Sequence, residues 1–276
     1  RGLDASYIER IEVLRGPQSV PFGTDAASGV VNIVTREADA GWNYGGSVEF
    51  GEGDRESAYL SHESDRARFS INVSNFNDRG IDYSGSGGER DGTIWESASS
   101  KAELDVTNQT TAGFTLRLAD AFYHRDDNDS DAVDADGYVV DASSTTDRSE
   151  RAGSIYIDHS AASGTLNHRL RLDQTVQKES TEDEQFGPSR SNLRTQVANY
   201  RFQAALDRVE TDVSDQLLSL LLEHREDVDR DDDDNRKNNS AALEYRGRLT
   251  SQASVQVGIR RDDNDAFADE TTWNVA

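Results

Sequence analysis

The chain of 276 residues contains no cysteine, which excludes disulfide bonds and thiolate chemistry. No stretch approaches the ~18 consecutive apolar residues that a membrane-spanning helix needs. Lysine is scarce: Lys101, Lys178 and Lys237 are the only ones, and the other basic residues are arginines. With 29 basic against 53 acidic residues, the formal net charge is −24. That balance excludes nucleic acid as a partner, since it would require a basic footprint. The histidines, His62, His124, His159, His168 and His224, are scattered, and none stands at a metal-ligand spacing. His168 and Ser163 lack a positioned acid, so no catalytic triad forms and the chain does not read as an enzyme. There is no initiator methionine and no basic-apolar leader. The chain opens inside a motif and stops at Thr272-Trp273-Asn274-Val275-Ala276, which reads as the start of a strand. The expectation is a piece lacking both ends of a longer parent.

What is present is alternation. Averaged over the chain, 30% charged residues and a mean hydropathy of −0.79 describe a soluble or partly disordered protein. Their distribution describes strands. Leu166, His168, Leu170, Leu172 and Val176 share one face of a strand, with Asn167, Arg169, Arg171 and Asp173 on the other. Phe69, Ile71 and Val73 repeat the pattern, as do Phe114, Leu116 and Leu118, then Leu218, Leu220 and Leu222. A helix would scatter these side chains around its circumference. Period-two segments are predicted at 42–51, 55–64, 66–78, 95–107, 112–125, 148–161, 164–178, 194–208, 214–227, 239–250 and 252–262, with a start near 271. Many exceed the five or six residues usual for soluble strands, and tilted membrane strands need about 9–11. Short turns at 64–65, 108–111, 162–164, 209–212 and 250–251 alternate with polar stretches at 79–94, 126–147, 179–193, 228–238 and 263–270. A transmembrane β-barrel has this parity, with short turns on one side and long loops on the other. A soluble β-sandwich has no reason for it, and no repeat consensus supports a β-solenoid.

One motif carries a family resemblance. Ile11-Glu12-Val13-Leu14-Arg15-Gly16-Pro17-Gln18-Ser19 is followed by Phe22-Gly23, a small-residue stretch, and Gly29-Val30-Val31-Asn32-Ile33-Val34-Thr35. This resembles the end of the plug domain of TonB-dependent outer-membrane receptors. The resemblance implies an all-β chain: residues 1–36 as the C-terminal part of a plug, 37–41 as a linker, and 42–276 as the N-terminal half of an antiparallel barrel. About twelve strands of an expected twenty-two or so would be present. It also implies the bacterial outer membrane as location, with its lipid around the barrel. The implied activity is active transport of a scarce large ligand, with the TonB–ExbB–ExbD complex as partner through a plug segment that precedes Arg1. The stretch Arg261 to Phe267, with Thr272-Trp273, is similar to a segment of the cobalamin (vitamin B12) receptors. Cobalamin is therefore the expected ligand and a ferric catecholate siderophore the alternative. A passive porin and a surface adhesin stand further off.

The resemblance also implies site residues. Arg15, with Glu12 beside it, is expected to make an ionic plug–barrel contact. Gly16, Pro17, Gly23 and Gly29 are expected to set the plug turn, and Pro21 departs from the family pattern there. Asp82 and Asp91, with Asp127, Asp129, Asp131, Asp134 and Asp136 of the next loop, are candidate calcium ligands. Clustered carboxylates suit Ca²⁺, which takes six to eight oxygens in flexible geometry. Tyr83 and Tyr138 are candidate ligand contacts. Trp95 and Tyr123 are expected in an aromatic belt at the membrane interface, as are Trp42 and Tyr44 on the opposite side. The run Asp229 to Asp234 reads as a solvated charge block.

Overall fold

A computed structural model describes residues 8–15, 26, 29–36, 40–83, 90–128, 139–232 and 234–276. It is all-β apart from short turns. Strands β1 (Ile8–Arg15) and β2 (Gly29–Thr35) form an antiparallel hairpin of their own, with Arg15 opposite Gly29. Gly29 has a φ of +153°, and a Cβ there would lie 2.5 Å from the carbonyl oxygen of Leu14, so only glycine fits. Gly16, Pro17, Pro21 and Gly23 lie outside the described residues.

The remaining strands build one antiparallel sheet. They are β3 (Gly41–Glu49), β4 (Gly53–Glu63), β5 (Ala67–Ile81), β6 (Asp91–Thr107), β7 (Thr110–Asn128), β8 (Val139–Ala161) and β9 (Leu166–Asp183), then β10 (Ser189–Ala205), β11 (Gln216–Asp229), β12 (Asp234–Thr250), β13 (Ala253–Asn264) and β14 (Glu270–Val275). Each strand pairs with its neighbours in sequence, so the sheet is an uninterrupted meander from β3 to β14.

Register separates two faces, because residues directly opposite each other across strands project to the same side. On one face Ile155 lies between Phe114 and Leu172, Tyr200 between Leu170 and Leu222, and Leu243 between Leu220 and Ile259. These apolar side chains are exposed rather than packed: Ile155 is 60% accessible and Ile157 50%. The largest fully buried side chains are instead polar, Asp262 and Ser144. A water-soluble sheet buries its apolar face. Here that face has no protein cover among the described residues, so it needs an apolar solvent.

The strands run further than their apolar periodicity. β7 and β8 still pair at Asn128 and Val139, and β9 and β10 at Thr181 and Ser189. The polar stretches of the sequence are therefore largely strand extensions, closed by connections at 82–90, 129–138, 184–188, 230–233 and 265–269. Both faces of these extensions are polar, which hides the alternation. Hydroxyl pairs such as Thr146 with Thr181, 2.9 Å apart, are part of what joins them. Connection length does not follow parity: 206–215 on the short-turn side is longer than 184–188 opposite. The asymmetry between the two ends lies in strand overhang.

The 206–215 connection is organised by one carboxylate. Ser214 Oγ donates to Asp207 Oδ1 and the Asp215 N–H to Asp207 Oδ2, each at 2.8 Å. Desolvation pushes this carboxyl up, but these hydrogen bonds outweigh it and hold the pKa below the ordinary aspartate value. A depressed pKa contributes stability that is complete above the unfolded-state pKa and is lost as pH falls through the folded one. Protection of the Asp215 amide against hydrogen exchange should therefore weaken below about pH 4, and Asp207→Asn should remove that pH dependence.

Candidate ligand-binding face

The second face of the sheet is predominantly polar. Ser47 Oγ and Ser57 Oγ are 2.8 Å apart, Ser74 Oγ and Ser97 Oγ 2.8 Å, and Thr115 Oγ1 and Ser154 Oγ 2.7 Å. Charges on this face are mostly neutralised in pairs. Arg169 donates to both oxygens of Asp158 at 2.6 and 2.7 Å, and Arg117 lies 3.0 Å from Glu150. Glu103 accepts from Arg68 and from the hydroxyl of Tyr156, whose ring lies over Gly113. Arg260 Nε donates to both oxygens of Asp262 at 3.0 Å, and its Nη2 reaches Glu223 at 3.2 Å. Ser240 Oγ adds a bond to Asp262 at 2.6 Å. Such a wall tolerates water and offers many weak hydrogen bonds.

These pairs were not singled out from sequence, yet a signal exists. Arg171 with Asp173, Arg225 with Asp227 and Arg260 with Asp262 are all two residues apart. In a strand that spacing puts both side chains on one face, about 7 Å apart at the backbone, within the reach of an arginine. The segment that suggested cobalamin, Arg261 to Phe267, contains half of this structural pair. Its Arg261 binds Asp263 at 2.8 Å and Asp269 at 2.7 Å.

At the overhanging end of the polar face, one row runs in register through Arg55, Phe76, Trp95, Ala121, Arg148 and Glu179. The guanidinium of Arg55 sits 4.6 Å from the centre of the Phe76 ring, within cation–π range. Arg148 lies 3.9 Å from Glu179. The indole Nε1 of Trp95 is shielded from solvent and makes no hydrogen bond to any described residue. Trp95 and Tyr123 therefore carry polar-face parity, which corrects the expectation that they belong to a lipid belt. Period two was visible around them, but the side of the sheet they share was set only by the pairing of Trp95 with Ala121 and of Tyr123 with Thr93. Two aromatics between two guanidinium groups, next to a small alanine, form a shelf suited to a planar, electron-rich, anionic ligand.

The other candidates fall in two places. Asp91 opens β6, and its carboxylate accepts the N–H of Tyr83 at 2.9 Å and the N–H of Asp126. His124 Nδ1 adds a contact to the Arg90 carbonyl at 3.2 Å. Asp91 thus ties the end of β5 to β7, a use that requires no metal. Asp91→Ala should speed hydrogen exchange at the Tyr83 and Asp126 amides by about tenfold, corresponding to a lost charge-assisted bond of ~1.5 kcal/mol. Asp82 follows β5 half-buried, and Tyr83 is exposed. Asp129, Asp131, Asp134, Asp136 and Tyr138 lie outside the described residues, as does the side chain of Asp127. Among the described residues, no three histidine or carboxylate side chains converge on a metal position. In the hairpin, Glu12 accepts from Arg10 at 2.8 Å and from Asn32 at 2.9 Å. The Asn32 bond first, and then Arg10, hold its carboxyl below the usual range. The ion pairs of the hairpin among the described residues are those of Arg10 with Glu9 and Glu12, and Arg15 takes part in neither.

The chain matches no family model. A stretch of 36 residues, 13% of the chain, is 56% identical to the iron-regulated outer membrane virulence protein of Vibrio cholerae, covering 6% of that protein. It is equally identical over 36 residues to the ferrienterobactin receptor of Escherichia coli, covering 5% of it. The vitamin B12 transporter of Photobacterium profundum is 26% identical over 98% of the chain and 43% of its own length. The fold is that of a ferric enterobactin receptor mutant from Pseudomonas aeruginosa, with a TM-score of 0.74, 18% identity, and coverage of 99% of this chain and 46% of that one. The siderophore receptor PirA of Acinetobacter baumannii superposes with a TM-score of 0.72 and 20% identity over 99% of this chain and 46% of its own. The chain thus spans less than half the length of the relatives it matches. Motif, sheet and relatives point the same way: in its opening motif and in its fold the chain is similar to TonB-dependent receptors of the bacterial outer membrane.

Proposed function

We propose that the chain is part of an active-transport receptor for a ferric siderophore of the catecholate type. The apolar face meets outer-membrane lipid, and the polar face lines the interior. The single observation that carries the ligand class is the row Arg55, Phe76, Trp95, Ala121 and Arg148. Catechol rings are planar and, when bound to iron, anionic. They stack on aromatic side chains and attract guanidinium groups. The names of several relatives support the same class, including the receptors for ferric enterobactin. Cobalamin, the ligand expected from sequence, becomes the second reading. Its support is the end-to-end similarity to a vitamin B12 transporter.

Energy comes, in this reading, from the TonB–ExbB–ExbD complex acting on the plug, and Arg15 anchors the plug hairpin to the barrel wall. Calcium at the overhanging hairpins is a separate proposal resting on the acidic run 127–136. Unchanged ligand affinity in the presence of a chelator would refute it.

The test of the ligand site is Trp95→Ala. Truncating an aromatic at the centre of a site typically costs ~2 kcal/mol or more, so affinity for a ferric tris-catecholate should fall about thirtyfold. Undiminished affinity in the folded variant would remove the shelf from the binding site.

A further inference from the structure

All five histidines carry the parity of the apolar face, and two of them meet at its short-turn border. His159 and His168 are directly opposite each other, their ring centres 6.2 Å apart. Each ring is held through Nδ1 by a hydroxyl: Thr110 Oγ1 at 3.0 Å for His159 and Tyr200 Oη at 2.7 Å for His168. Phe202 packs against His168 with ring centres 5.0 Å apart. When the hydroxyl donates to Nδ1, the neutral ring carries its proton on Nε2. Both imidazoles then present an N–H donor on the side away from their anchors.

One row along from the pair, the same face opens into a cleft of about 620 Å³. Ala102, Ala112, Phe114, Ile157 and Leu170 are among the residues that line it. Ala112 is opposite Ile157, and Ile157 opposite Leu170, so this lining row lies next to the row of Thr110, His159 and His168 on the same face. An apolar cleft bordered by two anchored donors has the chemistry of a site for an amphiphile with a hydrogen-bond-accepting head.

We propose that His159 and His168 bind the phosphate of one inner-leaflet phospholipid whose acyl chain lies in this cleft. The inference rests on the reading that the apolar face meets lipid, with the short turns on the periplasmic side. The anionic phosphate oxygens accept from both Nε2–H groups, and a hydrogen bond to a charged acceptor is stronger than one to a neutral oxygen.

The experiment uses the protein extracted from outer membranes and delipidated in detergent. Native mass spectrometry follows its titration with dioleoyl-phosphatidylethanolamine and, separately, with dioleoylglycerol, which has the same chains and no phosphate. One phosphatidylethanolamine should be retained at least fivefold better than dioleoylglycerol. The double variant His159→Leu, His168→Leu should reduce it to the dioleoylglycerol level. Tyr200→Phe, which frees His168 without removing it, should give an intermediate loss and stands in if the double variant fails to fold. Equal retention of the two lipids by the unaltered protein would overturn the proposal, as would phosphatidylethanolamine retention indifferent to these variants. Retention of neither lipid, with Leu116→Arg tolerated, would overturn the membrane reading beneath it.

Discussion

Asp262→Ala is expected to be the most damaging single substitution in the sheet, at about 3–5 kcal/mol. Arg260 and Asp262 are 2% and 1% exposed. Removing the carboxylate leaves a guanidinium enclosed with only Glu223 within reach, and desolvation of an unpaired ion is not recovered elsewhere. The hydroxyl of Ser240 loses its shorter bond at the same time, keeping only the one to Asn238 at 3.4 Å among the described residues. Urea unfolding in detergent micelles measures the change. The double variant Arg260→Met, Asp262→Leu should be markedly more stable than Asp262→Ala, because replacing a buried pair by apolar groups removes the penalty along with the attraction. If Asp262→Ala were neutral, the pair would be open to water and the described packing wrong.

Leu116→Arg comes next, at about 2–4 kcal/mol for a cation placed on the lipid face of a barrel near mid-depth. Leu116 lies at the centre of the alternating stretch of β7, with Phe114 and Leu118 on the same side. Its neighbour Thr115 projects to the polar face beside Ser154. Thr115→Arg should therefore cost only the lost hydroxyl bond, ~1 kcal/mol. The contrast between adjacent positions, read from folding into lipid vesicles, tests the assignment of faces. Equal costs at the two positions would mean that neither face contacts lipid.

The parts of this fold legible in sequence were those where chemistry alternates. Phe69, Ile71 and Val73, or Leu218, Leu220 and Leu222, mark strands because only one side of each meets an apolar medium. All twelve sheet strands lie where that periodicity places them. The overhangs were not legible, since residues such as Thr145, Thr146 and Thr181 are polar on both sides and look like loop. The faces of Trp95 and Tyr123 were hidden for a related reason. An aromatic suits lipid interface and ligand site alike, and only pairing with Ala121 and Thr93 separates the two. Asp91 reads in sequence as a calcium candidate; its acceptance of two backbone N–H groups, one just after β5 and one from β7, leaves no local trace there. The cross-strand contacts of Glu103 with Tyr156 and of Asp158 with Arg169 are likewise invisible without register. The Arg-x-Asp pairs were legible in principle, because both residues sit on one strand.

The central claim is that the interior wall receives an iron-bound catecholate. The direct measurement is equilibrium binding of a radiolabelled ferric tris-catecholate to outer membranes carrying the protein, with cyanocobalamin as competitor, followed by uptake with and without TonB. The account predicts saturable binding of the ferric complex, no displacement by excess cyanocobalamin, and uptake that disappears when TonB is deleted while binding persists. Saturable binding of cyanocobalamin with none of the ferric complex would contradict it.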